Sequence, residues 1–148
     1  MDSKFDSFSD LLRGALGGRL NHASDLTGMF AEDVVFEFPY APDGFPRRLE
    51  GLPALAVHLE RLGPMLELGR FTLRSIYPSA ETVTLEFSCD GRGIATGLPY
   101  DQDYISVVTL REGRIARYRD YWNPLVALSA LGGAEAAAAG YAGQNTDG

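Results

Sequence analysis

Several residue types that commonly mark a function are scarce here, and each shortage excludes something. One cysteine, Cys89, stands in 148 residues, so no internal disulfide framework can form and a reducing compartment is expected. Cations are outnumbered, with 13 Lys and Arg against 20 Asp and Glu and a net charge of −7. Nucleic-acid affinity rests on cations that displace counterions from phosphate, so no DNA or RNA partner is expected. No uninterrupted apolar run approaches membrane-spanning length, and the opening MDSKFDSFSD has acids where a secretory signal would have basic residues. A soluble cytoplasmic protein with no membrane partner is the expectation. Nucleophilic triads are missing, and Cys89 falls on the apolar side of its strand without an evident base. Gly91-Arg92-Gly93 with Gly97 lacks dinucleotide-fingerprint spacing and leads into Leu98-Pro99 rather than a helix. Asp101-Gln102-Asp103 alternates on a strand without a histidine companion and is a weak metal candidate. No cofactor and no metal are expected.

What is present suits one domain at positions 1–128, long enough to bury roughly 70% of its unfolded surface, followed by an Ala/Gly-rich tail at 129–148. That tail is too poor in apolar area to offset ordering entropy, so fraying or a loose helix is expected. Helical spacing covers Phe5 to Leu16, a shorter candidate covers Ser24 to Phe30, and a third helix opens at Pro53 and runs to Leu62. Val34 to Tyr40 is a strand with Val34, Phe36 and Phe38 on one face and Val35 and Glu37 on the other. Strands at Phe71 to Tyr77 and Thr82 to Ile94 follow, with a turn at Thr96-Gly97-Leu98-Pro99 that makes the Gly91 and Gly93 pair a bulge within one long strand.

The segment YDQDYISVVTLREGRIARYRDYWNP, Tyr100 to Pro124, is the most informative, because two alternating patterns meet at Glu112-Gly113. Pairing Arg111 with Arg114 sets Val107 against Tyr118, Ile105 against Asp120 and Asp103 against Trp122. Ile105, Val107, Tyr118, Asp120 and Trp122 then share one face, and Val108, Arg117, Arg119 and Tyr121 the back. A lone carboxylate among aromatic and aliphatic groups loses hydration, so its pKa should rise to where it can accept and donate a proton. The plain alternative is that an arginine or a ring hydroxyl pairs with Asp120 and the acid only orders the sheet.

The acidic pair in FAEDVVFEFP, the Thr96 to Tyr100 turn, the Gly-Arg-Ile hairpin and the Tyr-Arg-Asp-Tyr-Trp-Asn-Pro ending together resemble the NTF2-like superfamily, and within it the SnoaL-like polyketide cyclase group. The resemblance covers positions 5 to 128. It implies an α+β cone, a curved antiparallel or mixed sheet wrapped by three N-terminal helices around an apolar pocket. It also implies an acid or base on the last strand, the position of Asp120. Relatives of the phenazine-biosynthesis type have a histidine in a Gly-x-x-x-Leu-x-x-His setting, matched here by Gly51, Leu55 and His58. Against ketosteroid isomerase, another member, Ile105 replaces the oxyanion-side aspartate and Phe38 the base, so that chemistry is not implied.

Candidate catalytic residues are therefore Asp120 as proton carrier, His58 as relay and Tyr118 as oxyanion donor. Phe36, Phe38, Phe87, Ile105, Val107 and Trp122 are the expected substrate-binding wall. For His58 and the aromatics, plain core packing is the competing reading. Two functions fit these residues: a cofactor-independent cyclase, isomerase or dehydratase acting on a small apolar, cyclic or polyketide-like molecule, or a protein that only binds such a molecule. Arginines alternating with aromatics on the sheet back suggest a third role, a homodimer through the outer face.

Overall fold

The computed structural model describes residues 3–142. Four helices and six strands form an α+β fold whose curved, open, mixed sheet holds the helices over one face. The first helix, α1 (Asp6–Leu16), follows a 3-10 turn at Ser3–Phe5 and buries Leu11, Leu12 and Leu16, the stripe that its spacing requires. Helix α2 (Leu52–Leu62) has Pro53 in its first turn, where a missing N–H costs nothing, and buries Leu55 and His58. The helix expected over Ser24 to Phe30 is only a 3-10 turn, Thr27–Met29, because Phe30 already belongs to the first strand. Two helices come after the last strand instead: α3 (Pro124–Leu131), capped by the Asn123 side chain, and α4 (Ala134–Gly140). Ala130, Ala137 and Tyr141 of the segment expected to fray are buried, and the remainder of that expected tail, 143–148, lies outside the described residues. Small alanine side chains let these helices approach closely, and this compensates for their modest apolar area. No described helix is long and apolar enough to cross a membrane.

The strands are β1 (Phe30–Glu37), β2 (Arg48–Glu50), β3 (Leu66–Ser79), β4 (Thr82–Gly93), β5 (Gln102–Arg111) and β6 (Arg114–Trp122), in the spatial order β2-β1-β6-β5-β4-β3. All neighbours are antiparallel except β1 and β6. Val34, Phe36 and Phe38 are buried, as the alternation demands. The long strand through Gly91 and Gly93 is continuous, but its irregularity lies across from them: β3 holds the extra residue between Leu68 and Phe71, and the Asp90 carboxylate accepts the freed Arg70 N–H at 2.7 Å. Such bulges bend the strand that carries them and increase its twist.

Glu112 and Gly113 form the β5–β6 turn with φ of 53° and 81°, the paired positive values of the favoured two-residue hairpin loop. Arg111 faces Arg114 and Leu110 faces Ile115, as counted from the turn. One residue later the register slips. Ala116 is a bulge, so Thr109 faces Arg117, Val108 faces Tyr118 and Ser106 faces Asp120. Because side chains alternate, that single extra residue reverses the faces of all of β5 beyond it. Val108, assigned to the sheet back by the sequence, is fully buried inside, while Arg117, Arg119 and Tyr121 do face outward.

On that outer face Glu37 joins three strands. Its carboxylate accepts from Arg48 of β2 at 2.9 Å and from Arg117 of β6 at 2.9 and 3.0 Å, with Arg119 at 4.0 Å. Its side chain is only 18% exposed, less than any of its partners. Glu37→Gln should lower stability by about 1–2 kcal/mol, less at high salt, since it leaves neighbouring guanidinium groups without their shared counter-charge. Thermal melts at two ionic strengths check both the size and the salt dependence.

Candidate active site

Between the sheet and the helices lies a cavity of about 100 Å³. Its floor is built from inward-facing strand residues: Phe36 and Phe38 beside β1, Phe71 on β3, Phe87 on β4, Tyr104 on β5, and Asp120 and Trp122 on β6. Its roof comes from Phe5 and Phe8 at α1, from Leu55, His58, Leu59 and Leu62 on α2, and from Phe45, Leu131 and Tyr141. Four of the expected wall residues, Phe36, Phe38, Phe87 and Trp122, are in place. Ile105 and Val107 are not. Both project from the outer face after the Ala116 bulge, where Ile105 is 45% exposed and Val107 pairs opposite Arg119. The ketosteroid-isomerase alignment that put Ile105 in the pocket therefore fails by one residue. The inward positions of β5 are Gln102, Tyr104, Ser106, Val108 and Leu110.

Asp120 is half-buried and sits on the cavity wall. Burial pushes its carboxyl up to about 7, opposed by the Ser106 hydroxyl, which donates to Oδ1 at 3.1 Å. Ser106 is fully buried and shares the strand pair with Asp120, so the bond is locked by sheet register rather than by a loop. Among the described residues no arginine pairs with this acid, since Arg117 and Arg119 point to the opposite face and engage Glu37. An acid that titrates near neutrality inside an apolar hollow can take up a proton from one atom of a bound molecule and return it to another.

Tyr118 is also inward but lies beneath the wall, stacked on Phe36 at 4.4 Å between ring centroids. Its hydroxyl is buried and completes no hydrogen bond of ordinary geometry, although Ser106 is near enough to influence its proton. Burial, and then the Asp120 charge, hold this phenol well above its ordinary range. It is placed to support Ser106 and Asp120 from behind rather than to meet a ligand. His58 does reach the cavity, flanked by Phe38 at 5.1 Å and stacked on Tyr141 at 6.0 Å.

One neighbour of Asp120 was missed from sequence. Ser106 was hidden by the register slip. Tyr100 and Tyr104 line the cavity with hydroxyls 2.9 Å apart, and burial raises the pKa of both. Cys89 is buried, and loss of hydration pushes its thiol up to about 12, so it stays protonated.

A profile of the SnoaL-like domain matches residues 19–118, more than half of the chain. The chain belongs to the SnoaL-like family, within the NTF2-like superfamily. It is 52% identical over 109 residues to the uncharacterized protein YesE of Bacillus subtilis, covering 72% of this chain and 74% of that one. It is 46% identical over 112 residues to the uncharacterized PhzA/B-like protein PA3332 of Pseudomonas aeruginosa, covering 74% and 79%. A Bacillus subtilis crystal structure provisionally described as an isomerase superposes with a TM-score of 0.73 at 43% identity, covering 90% of this chain and 98% of that one. The profile match ends two residues before Asp120, so the acid and the helices α3 and α4 lie past it. The fold is of the general cyclase and isomerase type.

Proposed function

We propose that this SnoaL-like protein is a cofactor-independent acid/base enzyme, of cyclase or isomerase type, that moves a proton on a small apolar cyclic molecule. The observation that carries this reading is Asp120: a carboxyl poised near neutrality by burial, held by Ser106, and open to an otherwise greasy cavity. The base form removes a proton from carbon next to a carbonyl, and the acid form returns it elsewhere on the same molecule. His58, on the α2 side of the cavity, is the second group able to relay a proton. The modest cavity volume favours one alternative, a protein that sequesters a small ligand without turning it over.

Exchange of α-protons of cyclic ketones for deuterium, followed by NMR, separates the two readings. Enolisation needs the ionised acid, so the exchange rate should climb about tenfold per pH unit below about 7 and level off above it. Ser106 donates to the charged form and lowers the pKa of Asp120. Ser106→Ala should therefore move the whole profile to higher pH and slow exchange at pH 6 more than at pH 9. Saturable binding with no exchange at any pH would establish the carrier instead.

A further inference from the structure

We propose that the Tyr100–Tyr104 hydroxyl pair is a ligand anchor, and that the molecule it anchors is a neutral single-ring compound with a carbonyl or hydroxyl oxygen. This rests on the acid/base reading only in taking the cavity as the place where a ligand sits.

Two phenols joined by one hydrogen bond hold two protons and use one between them. Gln102 has a polar side chain that reaches Tyr100, but it is already committed. It is buried, its Oε1 accepts from the backbone N–H of Asp103 and Asn123 at 3.2 and 2.8 Å, and its Nε2 donates to the Asn123 carbonyl at 3.0 Å. Only the amide nitrogen is left to approach Tyr100, and as a donor. Among the described hydrogen bonds of Asp120, the side-chain donor is Ser106. One phenolic O–H is thus left for an acceptor inside the cavity. Tyr104 is fixed for this role by stacking on Phe87 at 4.8 Å, so the donor is preorganised rather than drawn in by the ligand.

The class of ligand follows from what surrounds that donor. Among the described residues that wall the cavity there is no lysine or arginine. A carboxylated ligand would shed its hydration without a paired cation and with Asp120 on the same wall. A neutral carbonyl needs only the phenolic proton. The volume, about 100 Å³, is of the order of an apolar cavity of roughly 150 Å³ that admits benzene, so one ring fits and a fused polycycle does not.

Trp122 is the only tryptophan in the chain and lines this cavity, so its fluorescence reports occupancy directly. The probes are cyclohexanone, cyclohexanecarboxylate and cyclohexane, titrated at pH 8. Cyclohexanone should bind saturably and about tenfold or more tighter than the carboxylate. Tyr104→Phe and Tyr100→Phe should each weaken cyclohexanone about fivefold while leaving cyclohexane unchanged. No saturable response to cyclohexanone, equal or tighter binding of the carboxylate, or phenylalanine variants that hold the ketone as the parent does would each overturn the assignment. Should one variant fail to fold, the other and the parent's selectivity ratio still decide it. Selective binding without deuterium exchange would leave the anchor standing and sink the acid/base reading. Exchange in a carboxylated ketone that outbinds the neutral one would do the reverse.

Discussion

Asp120→Asn is expected to cut proton exchange by about a hundredfold or more while making the protein more stable at alkaline pH. The amide keeps the shape of the carboxyl and can still accept from Ser106, so the cavity should persist while the proton carrier is lost. The stability effect has a definite sign. The folded pKa, about 7, lies above the ordinary value of 3.8, so the folded state binds this proton more tightly than the unfolded chain. The associated stabilisation is complete below about pH 4, declines between pH 4 and 7, and is gone above 7, where the parent holds a charged group in an apolar place. An asparagine does not titrate. Its advantage over aspartate should therefore grow from little at pH 4 to on the order of 2–4 kcal/mol at pH 8.5, the upper end being reduced by whatever water enters the cavity. Melting temperatures across that range, beside exchange rates, test both halves. Unchanged exchange would remove Asp120 from the chemistry, and a pH-independent gain would remove burial as the cause of its shifted titration.

Gain in stability with loss of activity is the usual sign of a group retained for function against its folding cost. A structural acid paired with arginine behaves in the opposite way. Glu37 is such an acid, and it lies one layer away on the other face of the same sheet. The contrast between the two carboxylates arises from sheet alternation: Glu37 falls on the face with the arginines, Asp120 on the face with the phenylalanines.

Much of this was legible in the sequence because it depended on local rules. The period-two pattern around Phe36, the proline at the start of α2 and the glycine of the β5–β6 turn each have one structural meaning, and each was met. Asp120 and Trp122 were placed correctly because β6 was read by its own alternation. Its partner strand was not. Turn chemistry fixes only the pairs next to the turn, and Ala116 has no side-chain feature that announces a bulge. A signal was present in β5 itself: the set Asp103, Ile105, Val107, Thr109 and Arg111 begins and ends on charge, as a solvent face does, whereas Tyr104, Val108 and Leu110 suit the interior. Weighing that pattern above the turn count would have brought Ser106 opposite Asp120. The closing helices were illegible for a different reason. Alanine-rich segments look unable to fold alone, and α3 and α4 are held by close approach to a surface that other elements supply.

That close approach is the basis of the last expectation, a large loss of stability in Gly93→Ala. A methyl group at Gly93 would fall 1.8 Å from the Ala130 carbonyl oxygen, and backbone atoms cannot swing aside as a side-chain end can. The same carbonyl accepts from the Thr96 hydroxyl at 2.6 Å, so α3 is fastened where Gly93 leaves room. Separating these layers should cost about 3 kcal/mol, at the upper end of ordinary overpacking. The consequence should reach the cavity, because Tyr141, just past α4, stacks on His58 and lies 4.9 Å from Phe45. Faster amide exchange across 124–142 than across β5 and β6, together with red-shifted Trp122 emission, would show the helices lifting away while the sheet stays intact. A variant that melts with the parent would mean that α3 does not rest on Gly93, and the roof over Asp120 would then need another support.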